Sequence, residues 1–154
     1  GLRACPVRRS RDVACRSAGS HPQTDRQRLL TAAQDMLGVP YKWGAKGPAE
    51  LDCSGFSRAA YAAVGVRLPD GSFNQARGEV PLRRLSDLAP GDLIFYRWYS
   101  SDKVAHVTLY WGDGLAIGTG SPGQKKEVVV YPLSEDFKVR DPVITYRHIR
   151  LKDE

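Results

Sequence analysis

Residues 51–56 read LDCSGF. Asp52 is a residue type that caps helix N-termini, and the chain from Cys53 through Phe56, Ala59, Ala60 and Tyr61 to Val64 carries apolar residues at helical spacing, with Gly65 as a stop. The pattern predicts a helix that starts at Cys53. Its thiol then lies in the first turn, where unpaired N–H groups and the positive end of the helix dipole favour an anion. The expectation is a thiol that gives up its proton readily. A lone cysteine is more often a small buried hydrophobe than a nucleophile, so the rest of the chain has to decide.

Upstream, Thr24 and Gln27 form a capping-box pair, followed by Leu29, Leu30, Ala33, Met36 and Leu37 at helical spacing and a stop at Gly38. Pro40-Tyr41-Lys42-Trp43-Gly44 then reads as an aromatic loop leading into LDCSGF. Downstream, Leu68-Pro69-Asp70-Gly71 and Leu88-Ala89-Pro90-Gly91-Asp92 are turn chemistry. After the second turn the pattern changes to strands at 93–98, 105–111, 115–117, 127–131 and 143–149, with Asp113-Gly114 as a hairpin turn. Helices first and an antiparallel sheet of about five strands afterwards make an α+β domain over residues 24–154.

The 154 residues suit one domain with its own core, and 42% are apolar. No run approaches the roughly 18 apolar residues of a membrane span. A net charge of +6 suits anionic partners, but Lys and Arg are scattered and no nucleic-acid motif is present, so nucleic acid is not expected. Residues 1–23, with Arg3, Arg8, Arg9, Arg11 and Arg16 among Ser, Gly and Pro and no apolar period, read as a basic tail or linker. Within it, Leu2-Arg3-Ala4-Cys5 is similar to the end of a lipoprotein signal, though Arg fits poorly there. Cys5 and Cys15 are able to pair in an oxidising compartment, leaving Cys53 odd and free. Three Cys and three His show no metal-ligand spacing, and no metal or cofactor is expected. Gly112-Asp113-Gly114 is hairpin chemistry, not a phosphate loop.

His106, near the start of a strand, is the partner a reactive thiol needs: an imidazole takes the thiol proton and later gives it to a leaving amine. His21 and His148 read as surface or packing residues. Taken in order, Pro40-Tyr41-Lys42-Trp43-Gly44, the LDCSGF block, Leu88-Ala89-Pro90-Gly91-Asp92-Leu93-Ile94-Phe95-Tyr96 and Ala105-His106-Val107-Thr108-Leu109-Tyr110-Trp111-Gly112-Asp113-Gly114 resemble the NlpC/P60 family of papain-like cysteine peptidases. The resemblance spans about residues 26–150. It implies hydrolysis of peptidoglycan stem peptides at the bond between D-γ-glutamyl and a diamino acid, outside the cytoplasm in a secreted, periplasmic or envelope-associated protein, with lipid anchoring as one form. By the same resemblance Cys53 is the nucleophile, His106 the base, and Tyr41, Asp52 and Ser54 line the substrate cleft. Asp52 then serves both as cap and as ligand for a substrate amine.

The resemblance also implies a polar side chain twelve positions after the base, orienting its ring, yet residue 118 is glycine. Hydroxyls lie next to it. In a regular hairpin turning on Asp113-Gly114, Ser121 faces His106 and Thr119 is its diagonal neighbour, which makes both candidates for the third member. Two other readings stand beside the hydrolase: a degenerate member that binds wall peptides without cutting them, and a papain-like amidase or acyltransferase with another substrate.

Overall fold

A computed structural model describes residues 22–77, 84–97, 104–119, 126–139 and 143–154. Residues 1–21, with Cys5, Cys15 and His21, and Ser121 lie outside the described residues, so the expectations placed on them find no counterpart here.

Helix α1 spans Asp25–Asp35, and its capping box is present in full: the Gln27 amide donates to Thr24 Oγ1 while Gln27 Oε1 accepts from the Thr24 N–H. Helix α2 is Cys53–Ala62, capped by Asp52. A single helical turn, α3 (Ser72–Gln75), follows. Strands β1 (Leu93–Arg97), β2 (Val104–Gly112), β3 (Leu115–Gly118), β4 (Val129–Pro132) and β5 (Val143–Arg147) form one antiparallel sheet in the order β4-β3-β2-β1-β5. Helix α4 (Ser134–Val139) links β4 to β5. The α+β expectation and its five strands are borne out; α3 and α4 are additions, too short to show a helical period.

Alternation along the strands divides the apolar side chains between two faces. Leu93, Phe95, Val107, Leu109 and Ile117 pack against Leu29 and Ala33 of α1 and Phe56, Ala60 and Tyr61 of α2. On the opposite face Ile94, Tyr96, Ala116, Tyr131 and Leu133 form a second cluster, joined by Phe137 of α4. Tyr96 opposes His106 and Ile94 opposes Thr108, so His106 and Thr108 share the second face.

The β2–β3 hairpin corrects one expectation. Asp113 and Gly114 both have positive φ (52° and 77°), as a tight two-residue turn requires. Gly112 pairs with Leu115, but the register then shifts, and Tyr110 pairs with Ala116 and Leu109 with Ile117. One extra residue, Trp111, is accommodated as a bulge. Continued down the ladder, this sets Gly118 opposite Thr108. A regular hairpin would have placed Thr119 diagonal to His106; the one-residue slip gives that position to Gly118.

Candidate active site

The first turn of α2 is held by a compact polar cluster. Asp52 Oδ1 accepts from the Gly55 N–H at 2.6 Å and from Ser54 Oγ at 3.2 Å. Its Oδ2 accepts from Lys46 Nζ at 2.6 Å, and Lys46 also reaches Ser54 Oγ at 3.3 Å and Asp70 at 3.1 Å. The carboxylate therefore caps the helix as expected, while its other oxygen is already engaged by an ammonium from its own chain. Gly55 is required by close approach: a Cβ there would lie 2.8 Å from the Ala45 carbonyl oxygen. Behind the turn, fully buried Gln75 donates to Ser54 O at 3.1 Å and Pro69 O at 3.0 Å, and accepts from Ser57 Oγ at 2.6 Å. Lys46 and Gln75 were not singled out by sequence, because neither contact follows a local spacing.

Cys53 is half-buried at the start of α2. Its thiol meets the backbone N–H of Val107, the residue after His106, so α2 starts against the stretch of β2 that carries the expected base. Burial, the dominant influence, pushes the thiol up from its ordinary value, and the Asp52 carboxylate adds to this. Hydrogen bonds from the Val107 and Ser54 amides and the Lys46 charge pull the other way without reversing it. The expectation of an already acidic thiol is thus corrected. Desolvation outweighs the two amide hydrogen bonds and the Lys46 charge, so the thiol is less acidic than an ordinary one.

Tyr41 enters from the loop before α2, its N–H donating to Lys126 O at 2.8 Å. Burial first, then the acidic groups of Cys53 and Asp52, raise its phenol, which places it close to both. Ser54 is buried beside Asp52. Four of the expected residues (Tyr41, Asp52, Cys53, Ser54) accordingly gather at one end of the site.

His106 is buried, and its ring lies against that of Tyr96 with centroids 5.7 Å apart and planes tilted by 33°. Position 118 holds no room for a side chain. A Cβ on Gly118 would come within 2.5 Å of Thr108 Oγ1 and 3.3 Å of Thr108 Cβ. Thr108 itself donates to Ile117 O at 3.0 Å. Thr119 is buried, and its Oγ1 has no hydrogen-bond partner among the described residues. His148 is a structural residue, its Nδ1 2.6 Å from Oδ1 of the fully buried Asp92. Among the described residues no group of His, Cys, Asp and Glu is arranged to hold a metal, and no helix is long and apolar enough to cross a membrane.

Helices packed on a five-stranded antiparallel sheet, with a thiol at a helix start and a buried histidine on β2, define the class as an α+β domain. The particular family follows from comparison: the NlpC/P60 family matches residues 38–141, and the chain belongs to it. A probable endopeptidase of Mycobacterium tuberculosis is 38% identical over 105 residues, 68% of this chain and 26% of its own length. The chain thus spans about a quarter of that relative. The solved NlpC/P60 domain of the peptidoglycan hydrolase SagA is 28% identical, with a TM-score of 0.67 over 82% of this chain and 100% of that one. RipD of Mycobacterium tuberculosis, described as a non-catalytic peptidoglycan-binding NlpC/P60 protein, matches in fold alone at 24% identity, a TM-score of 0.67, and 84% and 100% coverage.

Proposed function

We propose that residues 24–154 form a cysteine peptidase domain that hydrolyses amide bonds in peptidoglycan stem peptides, at the D-γ-glutamyl–diamino acid bond, and that it acts outside the cytoplasm. The observation that supports this reading is the contact of the Cys53 thiol with the backbone amide of Val107, the residue that follows His106 on β2. The naming of its relatives as endopeptidases and a peptidoglycan hydrolase supports the substrate class.

In this mechanism neutral His106 takes the Cys53 proton as sulfur attacks the scissile carbonyl carbon. The oxyanion is stabilised by N–H groups at the start of α2. His106 then protonates the departing amine, leaving a thioester that water hydrolyses with His106 again as base. Burial disfavours the Cys53 thiolate, so a base that takes its proton favours the attack. Tyr41 and Ser54 line the cleft. Asp52 binds a substrate amine only by exchanging it for Lys46, which occupies its Oδ2 in the resting site. Incubation with purified peptidoglycan and with soluble stem peptides, read by mass spectrometry of the new termini, tests the assignment. New amino termini on the diamino acid are expected; intact peptides would overturn it.

The filled hollow at Gly118 favours a second reading, in which the site binds wall peptides without cutting them. Saturable binding of stem peptides by a protein that leaves them intact would select it.

A further inference from the structure

Behind His106 the second face of the sheet carries a buried polar chain that the mechanism above does not use. The carboxylate of Asp136, on α4, is fully buried. Its Oδ2 accepts from the Tyr96 hydroxyl at 2.6 Å and from the Tyr131 hydroxyl at 2.9 Å. Tyr131 also lies 3.2 Å from Thr108 Oγ1, the atom that fills the space beside Gly118. Tyr96, itself fully buried, lays its ring against His106. The chain thus runs from the Gly118 hollow through Thr108, Tyr131, Asp136 and Tyr96 to the imidazole, drawing on β2, β4, α4 and β1.

A carboxylate that accepts two hydroxyl protons in a dry interior makes short, charge-assisted bonds and fixes both phenol rings. A ring fixed at its hydroxyl end and packed at its face against an imidazole limits the tilt that imidazole adopts. It also offers a π face, backed by a negative charge, to the imidazolium formed when His106 takes a proton. We propose that Tyr96, anchored by Asp136, is a positioning residue for His106, limiting the tilt of its ring by face contact. Thr108 closes the position a side chain at 118 would need. This rests on the reading of His106 as the base of Cys53.

The test separates the two claims. Iodoacetamide alkylation of Cys53, followed residue by residue by mass spectrometry between about pH 5 and 8, needs no peptide substrate. A general base works when neutral, so the rate should rise with pH as His106 loses its proton. That rise should vanish in His106→Ala; if it persists there, His106 is not the base and the proposal falls with that reading. Among the described residues, Tyr96 from β1 lies against His106, with Asp136 of α4 and Tyr131 of β4 behind it; β3 and α3 carry no titratable side chain, and Cys53 of α2 lies at Val107, the next residue of β2. Where the rise depends on His106, Tyr96→Leu should lower its amplitude by about tenfold to hundredfold. Tyr96→Phe, which keeps the ring and loses the anchor, should lower it less. If the wild type also cleaves stem peptides, the same losses should fall on kcat with KM unchanged. Wild-type amplitude in both Tyr96 variants would overturn the proposal and leave the His106 reading intact. A loss in Tyr96→Leu with none in Tyr96→Phe would overturn the role given to Asp136. Should Tyr96→Leu fail to fold, Tyr96→Phe decides.

Discussion

At the Cys53 end of the site the contacts of Asp52 run to residues within six positions of it, Lys46, Ser54 and Gly55, and Gln75 braces Ser54 from further along the chain. At the His106 end the polar contacts join Tyr96, Thr108, Tyr131 and Asp136, up to 40 positions apart and on four separate elements. The Asp52 contacts need only the loop before α2 and the first turn of α2. Those at the His106 end exist only when β1, β2, β4 and α4 have all assembled. A nucleophile whose cap is local and a base held wholly by tertiary contacts should respond differently to mutation.

Removing the base should have the largest effect. His106→Ala is expected to slow peptide cleavage by about 10²–10⁴-fold, the usual contribution of a positioned acid–base group, while circular dichroism stays that of the wild type. Assays of the new termini read it directly, and full activity would break the comparison at its His106 end.

Next comes the hollow. Gly118→His forces a side chain onto Thr108, whose Oγ1 stands 2.5 Å from the new Cβ, and should lower stability by about 1–3 kcal/mol in denaturant unfolding. Combining it with Thr108→Gly should recover part of that loss. An undiminished midpoint in the single variant would show that the β2–β3 pair is looser than its contacts imply.

At the Cys53 end, Asp52→Ala removes a cap worth about 0.5–2 kcal/mol and strips Lys46 of its shortest partner. Thermal unfolding should fall accordingly, with the sheet's own packing intact. No change would mean that Gln75 and its bonds to Ser54 O and Pro69 O hold the turn unaided.

The smallest effect concerns pH. The Cys53 thiol is raised in the folded state, chiefly by burial, so folding favours its protonated form. Its contribution is fully present below the ordinary thiol value of about 8.5 and is lost as pH rises through the higher folded value. Stability measured from pH 7 upward should therefore decline less steeply in Cys53→Ala than in the wild type; parallel curves would contradict the shift.

The same division governs what was legible in the sequence. The caps of α1 and α2 were readable because Thr24 with Gln27 and Asp52 with Gly55 act over three residues. The strands were readable from apolar runs bounded by Pro, Gly and Asp. The bulge at Trp111 was not, since nothing local marks which residue of a hairpin goes unmatched; yet it decides that Gly118 rather than Thr119 stands diagonal to His106. Nor was the raised thiol, because desolvation is a tertiary effect while the helix start is a local one. Tyr96 and Asp136 read as an ordinary strand aromatic and an ordinary helix acid until the fold brings them together.

The central claim is that Cys53 attacks a stem-peptide carbonyl and carries the acyl group. Mixing the protein with a soluble stem peptide, quenching in acid within a single turnover and weighing the intact protein tests it most directly. The account predicts a mass increase equal to the acyl fragment, localised to Cys53 and absent from Cys53→Ala, which should cleave nothing. Cleavage by Cys53→Ala at the wild-type rate would contradict it.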